Sequence, residues 1–421
     1  MKMIIERLLA IVLVLALVLT MFACDKFGND SNGDQNTDQN GTQNNINPED
    51  IPDYKYLGTT GVLPDTPPPV DCAETNGEIK NIILIIGDGM GEAQLDAAEL
   101  IYGKEYAFRD EFQKFYSDTN SLNTKTNEAT EVTDSAASAT AMATGYLTYN
   151  KYTGVDKDIL KLLTILDVAR MEGKATGFVT TDYLTGATPA GFTAHTLNRN
   201  LEHEVIKSQI HSGVDLLVGQ HYDKYEDYAE KIKEKYNYFD KYDKNAILAK
   251  ANEDTLLHCE IETEADGAVT LSELSGFAIE YLSADKDGFV LVIEQAHIDK
   301  NCHDMDLAGS SAAAESLNAT VEAVMQFARN SQNTAVIVTA DHETRGLVVS
   351  EDFTEYNKTI ATKNGGEISY DFTSTYHTDT LVPVYTWGFV AHPEKCKTFN
   401  SAEKIKNTDI YHFVADLIEN S

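Results

Sequence analysis

Five large aliphatic residues in a row, Ile82 to Ile86, close on Gly-Asp-Gly-Met-Gly. A continuous apolar run that stops at glycines is the pattern of a strand buried on both faces, since no side of it can be given to water. The same grammar returns in GKATGFVTT (173–181), GFVLVIE (288–294) and NTAVIVTADH (333–342), each run ending in polar or metal-binding residue types. Helical spacing of apolar residues marks DILKLLTILDVARMEG (158–173) and SAAAESLNATVEAVMQFARN (311–330) between them. Buried strands alternating with helices predict an α/β fold, a three-layer α/β/α sandwich with a mostly parallel central sheet. In such sheets sites form beyond the carboxyl ends of the strands, which is where the charged residues fall here. The charged, Tyr-rich stretch 221–244 reads as a solvated helical flank.

Before the first run the sequence has a different character. Lys2 and Arg7 precede an apolar segment from Leu8 to Phe22, which is short for a membrane-spanning helix of about 20 residues. Residues 1–24 read as an export signal. The Ala23-Cys24 pair resembles a lipoprotein cleavage site at which Cys24 would carry the lipid; ordinary secretory cleavage nearby and an uncleaved anchor are the other readings. All three place the remainder outside the cytoplasm. Residues 25–76 are first Asn, Gln, Asp and Gly, then Pro-rich, too poor in large apolar residues to order themselves, and read as a tether. The folded domain is expected over 77–421. Cys72, Cys259, Cys302 and Cys396 follow no CxxC pattern, so they make no zinc finger, and an exported chain allows them one or two disulfides. A formal net charge of −34 excludes nucleic acid as a partner, because a strand binder needs Lys and Arg to displace counterions. A small anion is not excluded, since a local cation cluster overrules the global field within about 8–10 Å.

Metal-type residues recur at the run ends: Asp88, then Asp299 and His303 in EQAHIDKNCHD, then Asp341 and His342 in VTADHET. Asp and His four apart share one helical face and can reach one ion. Buried carboxylates and imidazoles together need compensation, and divalent cations supply it. A further element, VTDSAASATAMATG (132–145), sets Ser135 after Thr133 and Asp134 at the start of a helix of small residues. A helix N-terminus favours an alkoxide or a bound phosphate. No Gly-x-Ser-x-Gly elbow and no evident histidine base accompany this serine, which argues against a hydrolase triad.

In that order and spacing, IIGDGMG, TDSAASATAMATG, ATPAGFTAHTLNR, ExxxxDKxxH and TADHET resemble the alkaline phosphatase family, over about Lys80 to Ser421. The resemblance implies hydrolysis of small phosphate monoesters with two Zn2+ and one Mg2+. It makes Ser135 the nucleophile that forms a phosphoserine, with Arg199 gripping phosphate and Asp134 orienting Arg199. One zinc falls to Asp299, His303 and His377, the second to Asp88, Asp341 and His342, and magnesium to Asp88, Thr188 and Glu294. Three positions depart from the family pattern: Gly186 stands where Asp or His is common, Gln295 where Gly is common, and Cys302 directly precedes His303. Loss of the side chain at 186 leaves Lys300 expected to lack an anionic partner, with His297 a candidate to fill the gap. Only thirty-four residues separate His342 from His377, so the insertion that often forms a dimer contact in this family should be small. A homodimer fits the resemblance. A phosphodiesterase or related hydrolase of the wider superfamily, and a non-catalytic phosphate- or metal-binding surface lipoprotein, are the rival readings.

Overall fold

A computed structural model describes residues 70–71, 79–388 except 264 and 266, 390–391 and 405–419. The expected signal, most of the tether, Cys72 and Cys396 lie outside the described residues. Within the segment read as a tether, Val70 and Asp71 pair antiparallel with Ala391 and Val390.

A ten-stranded sheet organises the domain. Its strands are β1 (Asn81–Gly87), β2 (Gln113–Asp118), β3 (Ala175–Thr180), β4 (Leu216–Gln220), β5 (Asn237–Phe239), β6 (Thr255–Cys259), β7 (Phe289–Gln295), β8 (Thr334–Thr339), β9 (Val382–Trp387) and β10 (Ile405–Lys406). They lie in the order β10-β2-β9-β8-β1-β7-β3-β4-β6-β5. Every pairing is parallel except those of β9, which runs against both β8 and β2. β1 and β7 are buried at every residue, which is why their sequences carry no polar alternation.

The period of two sorts the aliphatic residues into two layers. Ile83, Ile85, Leu291, Ile293, Val336 and Val338 pack under α4 (Leu271–Leu282) and α6 (Leu307–Ser331). Ile82, Leu84, Ile86, Val290, Val292 and Ile337 pack on the other side under α1 (Ser135–Thr144), α2 (Ile165–Met171) and α7 (Thr408–Glu419). Each fully buried Ile or Leu contributes about 1.5–3 kcal/mol of transfer free energy, so both faces are held closed by their own apolar layer.

Two helical expectations change. Residues 158–164 are not helical; the helix waits for Thr164, whose side chain accepts from Asp167 N while Asp167 returns a bond to Thr164 N. The stretch 221–244 is no plain solvated helix either. It contains β5 at the sheet edge and sends Tyr225, Ile232 and Tyr236 into the core. Its dense charge hid an apolar stripe carried on tyrosines. The expected short insertion is present as a three-stranded antiparallel sheet of 347–350, 358–361 and 367–372.

Candidate metal centre and nucleophile

Four adjacent strands, β8, β1, β7 and β3, end together at one edge, and each delivers a polar side chain there. Asp88 follows β1, and the next residue, Gly89, has φ of 75°. A Cβ on Gly89 would sit 2.8 Å from the Asp299 Cα, so this loop must be bare to lie against α5 (His297–His303). On α5, Asp299 and His303 share a face as expected, with His303 Nε2 3.2 Å from Asp299 Oδ1. His377 arrives from far along the chain because Thr344 and Glu343 pair antiparallel with His377 and Thr378. His377 Nε2 lies 3.0 Å from His303 Nε2 and 3.5 Å from Asp299 Oδ1. Its Nδ1 is 2.9 Å from the Thr133 carbonyl oxygen. A carbonyl only accepts, so Nδ1 carries the proton and Nε2 presents a lone pair to the cluster.

The second cluster is Asp88, Asp341 and His342, whose ligand atoms, like those of Asp299, His303 and His377, all lie within 4.8 Å of one another. His342 Nε2 is 3.1 Å from Asp341 Oδ2, 3.7 Å from Asp88 Oδ1 and 3.2 Å from Ser135 Oγ. The histidine beside the serine, not evident as a base from the sequence, is thus His342. The arrangement is still not a triad. In a triad the carboxylate holds the ring nitrogen remote from the serine, whereas here Asp88 and Asp341 gather at the same nitrogen as Ser135. The remote Nδ1 instead lies 3.3 Å from Thr344 Oγ1. Thr344 donates its hydroxyl proton to Asp299 Oδ1, so it accepts from His342 and ties the two clusters together.

Ser135 opens α1, a helix buried at every residue. Asp134 caps it, accepting from Ala137 N through Oδ1 at 3.0 Å and from Lys151 N through Oδ2 at 2.9 Å. The run of small residues has a packing cause as well: a Cβ on Gly191 of α3 (Ala187–Thr193) would lie 2.7 Å from the Ala139 Cβ. Arg199 reaches the same corner, with Nη1 3.6 Å from Asp134 Oδ2 and its side chain 32% exposed. Its fork remains available to an anion.

Glu294, at the end of β7, accepts from Thr180 Oγ1. Thr188 Oγ1 is buried near enough to act on the Glu294 charge but completes no hydrogen bond. Lys300 departs from expectation: its Nζ is 2.5 Å from Asp182 Oδ1, so it has an anionic partner. Asp182 fills the gap assigned to His297, whose backbone N–H donates to Gln295 Oε1. Gln295 itself accepts from Thr181 Oγ1 and donates to Glu262 and Ser316, a structural tie between β3, β7 and α6. Cys302 turns into the core beside Ser310, and burial pushes its thiol up to about 12, which makes it inert. Tyr376, absent from the sequence reading, stacks on the His377 ring at 4.1 Å and 16° while 49% exposed.

Charge is badly unbalanced at this edge. Burial and the charges of Asp341, Asp299 and Glu294 push the Asp88 carboxyl well up. Burial, with Asp299 adding to it, raises Asp341 to about 7, and burial together with the Asp182 charge raises Glu294 to about 8. Burial opposes the Asp299 charge too, yet the His303 hydrogen bond and the neighbouring imidazoles hold that carboxyl below its usual range. Burial, with the adjacent His377 ring adding to it, pushes His342 well below the usual imidazole range, keeping it neutral. Asp88 Oδ1, Asp341 Oδ2 and Thr188 Oγ1 are buried without a hydrogen bond. His342 and His377 are kept neutral chiefly by burial, while His303 is raised, against the cost of burial, by its Asp299 hydrogen bond. These imidazoles, crowded carboxylates and orphaned oxygens form a donor set that fits divalent cations: two sites with nitrogen and oxygen donors and one of oxygen alone. His221, Asp223 and Glu226 also approach one another, but Asp223 is 90% exposed and water meets its needs.

The alkaline phosphatase family model matches residues 79–221 and 233–386. Alkaline phosphatase 3 of Bacillus subtilis is 33% identical over 303 residues, 65% of this chain and 63% of that protein. The alkaline phosphatase of Escherichia coli is 30% identical over 338 residues, 65% of this chain and 72% of that protein. Among solved structures, a magnesium-bound variant of the alkaline phosphatase from the bacterium TAB5 superposes with a TM-score of 0.67 at 26% identity, covering 85% of this chain and 100% of that one. The chain therefore spans a little under two thirds of the Bacillus protein's length.

Proposed function

This chain belongs to the alkaline phosphatase family, and on that premise we propose that it hydrolyses small phosphate monoesters through a phosphoserine at Ser135, outside the cytoplasm. The observation that carries the reading is the position of Ser135 Oγ, 3.2 Å from a neutral His342 nitrogen that two orphaned carboxylate oxygens also approach. Zinc on Asp299, His303 and His377, zinc on Asp88, Asp341 and His342, and magnesium on Asp88, Thr188 and Glu294 would supply Lewis acidity that neutralises developing negative charge and favours the serine alkoxide.

The chain's own groups do the rest. Ser135 Oγ, at the positive end of α1, attacks phosphorus as the ester P–O bond breaks and the alcohol departs. Water then cleaves the Ser135–phosphate bond and inorganic phosphate leaves. Arg199 takes two phosphate oxygens in its fork, and Asp134, fixed by its two backbone bonds, sets the guanidinium plane. A monoester has three unesterified oxygens to share between the arginine and the cation clusters, whereas a diester has two. The N-terminal segment supports export, with a lipid at Cys24 as the anchor, and the domain is proposed to pair as a homodimer without nucleic-acid partners. Hydrolysis of an aryl monoester compared with the matching diester tests the substrate class. A clear preference for the monoester is expected; equal rates, or phosphate retained by the zinc-loaded protein without turnover, would overturn it.

A further inference from the structure

Asp182 stands two residues beyond β3, outside the motif that supplies Thr188, yet it borders the Glu294 site. Its backbone N–H donates to Thr180 Oγ1 at 2.8 Å, and that hydroxyl donates to Glu294. Its side chain is 15% exposed and its Oδ1 contacts Lys300 Nζ. Among charged groups, Asp182 acts most strongly on Glu294.

Gly186 explains how this carboxylate finds room. Its torsions, φ −55° and ψ 161°, are open to any residue, so the backbone does not call for glycine. Space does. A Cβ at this position would lie 2.4 Å from Asp182 Oδ2 and 3.0 Å from its Cγ. Any side chain at 186 would have to displace the Asp182 carboxylate. Gly186 is the N-cap of α3, two residues before Thr188, and the Asp182 carboxylate that occupies this space lies close enough to Glu294 to raise its carboxyl.

We propose that Asp182 is the positioning carboxylate of the third cation site: Oδ1 pins the Lys300 ammonium, and Oδ2, in the space that Gly186 leaves free, helps hold the hydration shell of a magnesium ion beside Glu294, Thr188 and Asp88. This rests on the proposed phosphatase reading. The Lys300 ammonium also lies within reach of the Glu294 and Asp88 charges, so once released it would add positive charge to the site proposed to hold phosphate.

The test uses the full, zinc-loaded chain as wild type, Asp182→Asn, Asp182→Ala, and the double variant Asp182→Ala with Gly186→Asp. Magnesium affinity is measured by calorimetry without substrate, and inorganic phosphate inhibition alongside it. Loss of an outer carboxylate at a metal site weakens affinity by about 10–100-fold, and that is expected for Asp182→Asn and Asp182→Ala, with tighter phosphate inhibition in both. The double variant returns a carboxylate to the same volume from the next turn and should recover magnesium affinity, a rescue that a merely structural role would not give. Unchanged magnesium affinity in Asp182→Asn, or no recovery in a folded double variant, overturns the proposal. Failure of the phosphatase reading looks different: the unsubstituted chain would lack monoesterase activity whatever the state of Asp182.

Discussion

Removing the cations should invert the usual dependence of this domain's stability on pH. In the cation-free protein Glu294 titrates near 8 and Asp341 near 7, each raised first by burial, against ordinary values of 4.5 and 3.8. A carboxyl with a raised folded pKa stabilises the fold fully below its unfolded pKa, and that contribution is lost as pH climbs through the folded value. Between about pH 6.5 and 8.5 the unfolded chain has already released both protons while the folded chain still gives them up. Integrating the proton difference gives a loss of about 2 kcal/mol from Glu294 and about 1 kcal/mol from Asp341 across this window. His342 and His377, both lowered chiefly by burial, stay neutral in it and add little slope. Urea unfolding of chelated protein at a series of pH values reads the effect, with the zinc- and magnesium-loaded protein as reference. Bound cations keep the carboxylates ionised in the folded state, so the reference should be flat or rise. Asp88, pushed well up by burial, and His303, raised against the cost of burial by its hydrogen bond to Asp299, add to the fall in the same sense. Glu294→Gln in chelated protein should therefore remove only its own share of about 2 kcal/mol. A chelated midpoint that rises over this window, or a slope unaffected by Glu294→Gln, would refute the reasoning.

Arg199→Ala should raise KM and the phosphate inhibition constant together, by about 10-fold, because a charge-assisted clamp of roughly 1.5 kcal/mol or more is made before and during reaction. Steady-state kinetics with added phosphate checks this, and unchanged inhibition would place Arg199 elsewhere. Gly191→Ala should destabilise the fold by about 1–3 kcal/mol, since its Cβ would press on Ala139 and Thr140 N. Urea unfolding reads it, and a neutral result would show that α1 and α3 can part freely.

Much of the sheet was legible because burial on both faces leaves an unbroken aliphatic signature, as in Ile82–Ile86. Five of the six residues the structure gathers into the two three-ligand clusters were legible for a related reason: Asp88, Asp341 and His342 follow directly where such a run stops, and Asp299 and His303, shortly beyond another, announce a shared helix face by spacing alone. His377 carries no local signal. It reaches the cluster through a two-residue strand pairing, and the family resemblance alone pointed to it. Thr344, which links Asp299 to His342, sat unnoticed in TADHET because a threonine hydroxyl shows its partners only in three dimensions. Asp182 escaped for a sharper reason. Sequence comparison asks what replaces a side chain at the same position, and here the replacement comes from four residues earlier, into space that glycine leaves open. The 221–244 segment misled because tyrosines bury apolar rings while counting as polar, and its lysines and acids dominated the pattern.

The central claim, that Ser135 is the group phosphorylated under control of the cation clusters, is tested most directly by trapping. Metal-replete full-length chain is mixed with an aryl phosphate radiolabelled at phosphorus, quenched in acid within the first turnover and digested to peptides. Label is expected on the peptide containing Ser135, absent from Ser135→Ala and from chelated protein, and regained when zinc is added back. Turnover with no label at Ser135, or label undiminished after exhaustive chelation, would contradict it.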